Sequence, residues 1–173
     1  IQIAFMVITV IANRRGLNDA AAVGIVEKII GFLFLVPSSM LSAVSALGAQ
    51  NIGAQKPERA RKTLLYAIFI AAGFGGTVAV IMQFLSSGAV SLFTDSAAVI
   101  RLGGEYLRGY AWDCLFAGIH FAFSGHFCAC GKSGISFMHN MIAILLVRIP
   151  GAYFMSSMFP GTLYPMGLAT AAG

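Results

Sequence analysis

Charge is what this sequence has least of. Its 173 residues include 11 Lys and Arg and 6 Asp and Glu, so 10% are charged. An ordinary soluble domain carries about 25%. Hydrophobic residues make up 58%, and the mean hydropathy is +0.86. That polar surface is too small to cover a water-facing globule, so the chain must face lipid. Other absences narrow the class. No basic stripe interleaved with stacking aromatics is present, so the net charge of +5 is not a nucleic-acid footprint. No segment alternates at period 2, and the apolar runs far exceed a spanning strand of about 10 residues, which excludes a barrel. The three cysteines, Cys114, Cys128 and Cys130, share one apolar segment, which gives neither a disulfide framework nor a two-cluster zinc spacing. The chain opens without an n-region or a small-residue cleavage site and closes inside an apolar run. It is expected to be a piece of a longer protein, not a chain with a signal peptide.

What is present is a series of apolar helices, an all-α polytopic membrane bundle. The expected helices are about 1–12, 20–50, 57–93, 97–131, 134–159 and 163–173, the first and last cut short. Short polar turns separate them, so neighbours run antiparallel. In the third helix small residues recur every fourth position at Ala67, Ala71, Gly75 and Ala79. That pattern predicts a helix-packing seam.

The stretch GAQNIGAQKPERARK at 48–62 interrupts the apolar pattern with Lys56, Arg59, Arg61 and Lys62. Turns on the same side add Lys132. Those on the other side carry Arg14, Arg15, Arg101 and Arg108 with Asp19, Asp95 and Glu105 among them. The positive-inside rule makes the 50–62 turn cytoplasmic. Pro57 suits a first helical position and Glu58 complements the helix start.

This turn is also specific. QNIGAQKPERARK resembles the signature Q-N-x-G-A-x-x-x-x-R-A of the multidrug and toxin extrusion family, through Gln50, Asn51, Gly53, Ala54, Arg59 and Ala60. SLFTDSAAVIRLGGEYLR is similar to the family's outer turn and entry to its tenth helix. SGHFCACGKS resembles a helix end that reads SGALRGAGDT there, with Ser124, Gly125 and Gly131 matching. VRIPGAY, with Arg148, Pro150, Ala152 and Tyr153, resembles the eleventh helix. The resemblance spans nearly the whole chain. It implies a partial C-terminal lobe, part of one six-helix lobe of a twelve-helix transporter. Such a protein exchanges Na⁺ or H⁺ for cationic or amphipathic drugs, uses no organic cofactor and does no enzymatic chemistry. Its partners would be a small-molecule substrate, the lipid bilayer of the cell membrane and a missing N-terminal lobe.

Charges inside a bilayer are expensive and mark function by default. Four fall within the spans: Glu27, Lys28, Asp113 and Arg148. Helical rise places all four in the outward half, where they can pair across helices or line a cavity. Asp113 and Glu27 are the ion-coupling candidates, since a carboxylate held away from water can carry a proton near neutral pH. The plainer reading is a static ion-pair network. In some family members an acid of the tenth helix holds the ion; that position aligns with Ala117 here, one turn from Asp113. Lys28, Arg148 and Pro37 are substrate-path candidates, the proline because it removes a helix hydrogen bond where transporters bend, as does Pro150. Gln50, Asn51, Gly53 and Arg59 form the structural signature turn, with the amides capping the helix end and Gly53 free to take a positive φ. His120 and His126 with the cysteines invite a metal reading, but no second convergent set is visible and no metal is expected. Two rivals to efflux are a lipid-linked saccharide flippase, which would need more cations in its cavity, and a membrane-embedded metal enzyme.

Overall fold

The computed structural model describes residues 2–172, with side chains described from Met6 onward. Ile1 and Gly173, the expected ends of the first and sixth segments, lie outside the described residues. Among the described residues every regular element is helical. In chain order these are α1 (Gln2–Asn13), α2 (Leu17–Leu33), α3 (Leu35–Gly53), α4 (Pro57–Ser91), α5 (Ala97–Tyr110), α6 (Asp113–Ala129), α7 (Ser133–Ile142), a π-helix (Ala143–Arg148), α8 (Ile149–Met158) and α9 (Tyr164–Ala171).

Among the described residues three stretches are long and apolar enough to cross a membrane: Leu17–Gly53, Pro57–Ser91 and Ser133–Met158. Large apolar side chains point away from the protein, with Phe69 73% and Phe84 82% exposed. Such a surface is compatible only with lipid or further protein. The buried centre holds Tyr106, Leu107 and Tyr110 of α5, Val23, Val26 and Ile30 of α2, and Leu163 and Met166 of the α9 region.

The small-residue stripe on α4 is buried at Ala67, Ala71, Gly75 and Ala79. It is where α6 lies closest. A Cβ on Gly75 would sit 2.5 Å from the Cys114 carbonyl oxygen, so only glycine admits the neighbouring backbone there. A second close crossing joins α5 to α9, where a Cβ on Gly109 would come within 2.6 Å of the Tyr164 carbonyl. With no gain to be had from hiding apolar surface from lipid, such backbone approach is what holds membrane helices together.

Two long segments are broken. The 20–50 segment divides at Phe34, directly before the first turn of α3. Pro37 lacks an N–H, and its ring crowds the carbonyl four residues back at Leu33, where α2 ends. The 97–131 segment divides at Ala111 and Trp112. Bonds there tighten to the i→i+3 pattern, from Cys114 N to Ala111 O at 3.2 Å and from Leu115 N to Trp112 O at 3.1 Å.

The signature turn folds differently from the expectation in two details. Gly53 is the last residue of α3, and the residue with positive φ is Gln55, at 57°. Lys56 N bonds to Asn51 O at 2.8 Å and Gln55 N to Ile52 O at 2.9 Å, which closes a Schellman motif around Gln55. The end of α6 repeats it, with Lys132 N to Phe127 O at 2.8 Å around Gly131 at φ 72°. The Asn51 amide does not cap the helix end. It donates one turn back, to Leu47 O at 2.7 Å. Gln50 and Arg59 are exposed.

Candidate functional site

The break between α5 and α6 makes Asp113 the first residue of a new helix, where the positive end of the helix dipole favours a carboxylate. Opposite it, the π-helix ends at Arg148. The two side chains form a direct ion pair, and both residues are buried, at 4% and 5% exposure. Arg148 also donates to the Tyr110 hydroxyl at 2.9 Å, and its guanidinium lies 5.5 Å from the centre of that ring. Tyr110 is the last residue of α5, so the pair is held by both sides of the break.

The pair sits in the wall of a cavity of about 320 Å³ between α6, the run of α7 and the π-helix, and the end of α9. Phe34, Phe116, Ala117 and Phe121 supply apolar wall, and Phe34 meets Phe121 edge-on with ring centres 6.3 Å apart. Ala143, Ile144 and Val147 face it from the π-helix. Away from the ion pair, His120 donates from Nε2 to Asn140 Oδ1 at 3.0 Å, the amide being oriented by its own bond to Ser136 O at 2.8 Å. His120 also stacks on His139 with ring centres 4.6 Å apart.

The four intramembrane charges thus do not form one cluster. Asp113 and Arg148 are joined. Glu27 is half-buried and accepts from Thr9 of α1 at 3.2 and 3.3 Å, in a groove between α1 and α2. Lys28 is exposed beside it. Pro37 is buried and does not line the cavity; the break it sets puts Phe34 there instead. Ala117, the aligned family ion position, lines the same wall as Asp113.

Sequence reasoning missed the π-helix, whose only signal is Pro150 two residues beyond it. It also missed Arg15, treated above as a turn cation. Arg15 bonds to Asp19 Oδ2 at 2.7 Å and reaches across 141 residues to the end of α8, donating to the carbonyls of Ser156, Phe159, Pro160 and Thr162. Glu105 grips the same connection, accepting from the Thr162 hydroxyl at 2.8 Å. Of the His and Cys set, Cys130 Sγ lies 3.8 Å from His126 Nε2, while Cys114 is buried elsewhere. Among the described residues no group of three His, Cys, Asp or Glu side chains converges as a metal site.

The family model described as MatE matches residues 1–154. The chain is 26% identical over 144 residues to "Probable multidrug resistance protein YoeA" of Bacillus subtilis (strain 168), covering 83% of this chain and 31% of that protein. It is 27% identical over 125 residues to "Probable multidrug resistance protein NorM" of Rhodopseudomonas palustris, covering 72% and 26%. It is 30% identical over 84 residues to "Protein DETOXIFICATION 53" of Arabidopsis thaliana, covering 49% and 17%. The chain thus spans less than a third of the length of each of these relatives. No solved structure matches it. The match covers most of the chain and agrees with the apolar helical bundle described above, and the chain belongs to the MatE family.

Proposed function

We propose that this chain is a partial C-terminal lobe of a secondary transporter that exports cationic or amphipathic drugs in exchange for Na⁺ or H⁺. The observation that carries this reading is the buried Asp113–Arg148 pair in the wall of a cavity between helices. A carboxylate in that position has two competing partners. Arg148 satisfies it when the cavity is empty; a proton or Na⁺ on Asp113 frees the guanidinium and changes what the cavity offers a ligand. Glu27 is the second candidate, since it is a half-buried carboxylate in an interhelical groove and its Thr9 partner sits on a separate helix. Family membership and the printed names of relatives as multidrug resistance proteins support export of small molecules.

The rest of the machine is proposed with it. The 50–62 turn lies in the cytoplasm and the bundle in the cell membrane. A second lobe supplies the other half of the path, against which this one rocks. No covalent chemistry is assigned to any residue.

The test is export by the intact gene product in proteoliposomes, with imposed H⁺ or Na⁺ gradients. Asp113→Asn is expected to abolish the dependence of export on one of the two gradients, and Glu27→Gln to weaken it. Gradient-driven export that is unchanged in both variants removes both carboxylates as coupling residues.

A further inference from the structure

On α6 the cavity wall runs from Asp113 through Ala117 to His120, two helical turns further on. There α7 closes the cavity with His139 and Asn140. The two imidazole rings are stacked within 20° of parallel, and His120 holds the Asn140 amide. Over the same helix Phe137, Met138, Met141 and Ile142 are all exposed, and Ser136 is its one buried residue. Immediately behind α7 the backbone leaves α-helical register for the π-helix, and Pro150 follows. A helix with an irregular segment at one end and a small polar fastening near the other can swing.

We infer that the His120–His139 stack is a proton-operated latch, which holds α7 on α6 while at most one ring is charged and lets it swing away, widening the cavity, when both are. One imidazolium over a neutral imidazole is attractive; two imidazoliums in contact repel. The surroundings offer nothing to offset the second charge. The segments Leu35–Gly53 and Tyr164–Ala171 contain no acidic or basic residue. Those of α4 are confined to its start, Glu58, Arg59, Arg61 and Lys62. Lys132, which precedes α7, is itself a cation. On α6 itself, Asp113 is already matched by Arg148 from the π-helix, and His126 brings no negative charge. His139 is exposed, and both rings line the cavity, so a change in the stack is felt there. This deepens the transport reading by naming its moving part, but its test reads geometry rather than export.

The experiment uses the intact gene product in lipid nanodiscs, with Cys114, Cys128 and Cys130 replaced and spin labels at Phe123→Cys on α6 and Met138→Cys on α7, both exposed positions. Pulsed electron paramagnetic resonance measures the distance between them from pH 8 to pH 5. The distance is expected to lengthen by about 2 Å or more on acidification, the scale of helix shifts in switching proteins. His139→Phe, which keeps a neutral stacked ring, is expected to stay at the short distance throughout. Asp113→Asn is expected to keep the response, which separates the latch from the ion pair. A distance that is constant with pH in the unsubstituted background overturns the inference without recourse to any histidine variant. So does a response that survives in His139→Phe, or one that disappears in Asp113→Asn.

Discussion

Replacing Arg15 by alanine tests whether the turns are tied by long-range contacts that local sequence does not announce. The guanidinium is only 10% exposed and makes its two shortest bonds to the Asp19 carboxylate at 2.7 Å and the Pro160 carbonyl at 2.8 Å. A hydrogen bond involving a charged group is worth about 1.5–3 kcal/mol, and partial solvation argues for the lower end. Two such bonds give about 3 kcal/mol. Arg15 also places a cation at the C-terminal end of α8, where orphan carbonyls gather, which adds about 0.3–1 kcal/mol. No penalty arises from leaving Asp19 alone. It lies in the first turn of α2, where the helix dipole already favours it.

The expected loss is therefore about 3–4 kcal/mol, or about 6–16 °C in midpoint at the usual 2–4 °C per kcal/mol for chains of this size. Thermal unfolding in mild detergent, read by the fraction of monodisperse protein after heating, measures it. Arg14→Ala is the internal control. Arg14 is exposed, and a surface change of this kind stays within about 0.5 kcal/mol. Arg15→Lys should fall between, because a single ammonium cannot span Asp19 and the α8 end at once. If Arg15→Ala and Arg14→Ala melt within about 2 °C of each other, the clamp has no energetic standing and the reasoning fails.

Three further changes probe backbone geometry. Gly167→Val introduces a side chain whose Cβ would sit 3.0 Å from Tyr110 N and against the Tyr106 carbonyl, so α9 must move off α5; a cost of about 3 kcal/mol or more is expected, as loss of folded protein in the same heating assay. Gln55→Gly removes a side chain from a left-handed position, and a gain of about 0.5–1 kcal/mol is expected there, with Gly131→Ala in the sister turn losing a similar amount. Unequal signs at these two sites are the required outcome; equal signs would refute the cap assignment.

The helical class and the lipid environment could be read from the sequence because neither depends on detail. A chain with this little charge has no other solvent, and apolar runs too long for strands leave only helices. The seam on α4 was legible for a similar reason: small residues at a fixed spacing have one common use. The turns were legible as turns, but their geometry was not. Gly53 looked like the left-handed residue, and the Schellman closure falls two positions later on Gln55. The hydrogen bonds that set it depend on where α3 stops, which no single residue type fixes. Partnerships were the least legible. Asp113 and Arg148 lie 35 positions apart and Arg15 and Ser156 lie 141 apart. The depth argument grouped four charges together, but depth alone does not fix which helix face a residue occupies. Glu27 and Lys28 face the groove between α1 and α2, away from the Asp113–Arg148 pair.

Three departures from regular α-helix meet at one place, and this strengthens the functional reading more than any single side chain does. The break at Phe34, the break before Asp113 and the π-helix lie on three separate crossings, yet Phe34, Asp113 and the π-helix all line the same cavity. Each leaves backbone groups without their regular helical partners. In hydrocarbon such groups cost several kcal/mol apiece, so irregular backbone persists at depth only where protein or a water-filled space receives it. A bundle selected only to pack would keep its ladders intact or scatter the defects. Their convergence beside a buried ion pair is what a bendable wall in a transport path requires. Proline explains the first break and helps explain the third. The break at Ala111 and Trp112 has no proline. It is stabilised instead by what it creates, a helix start that seats Asp113 opposite Arg148.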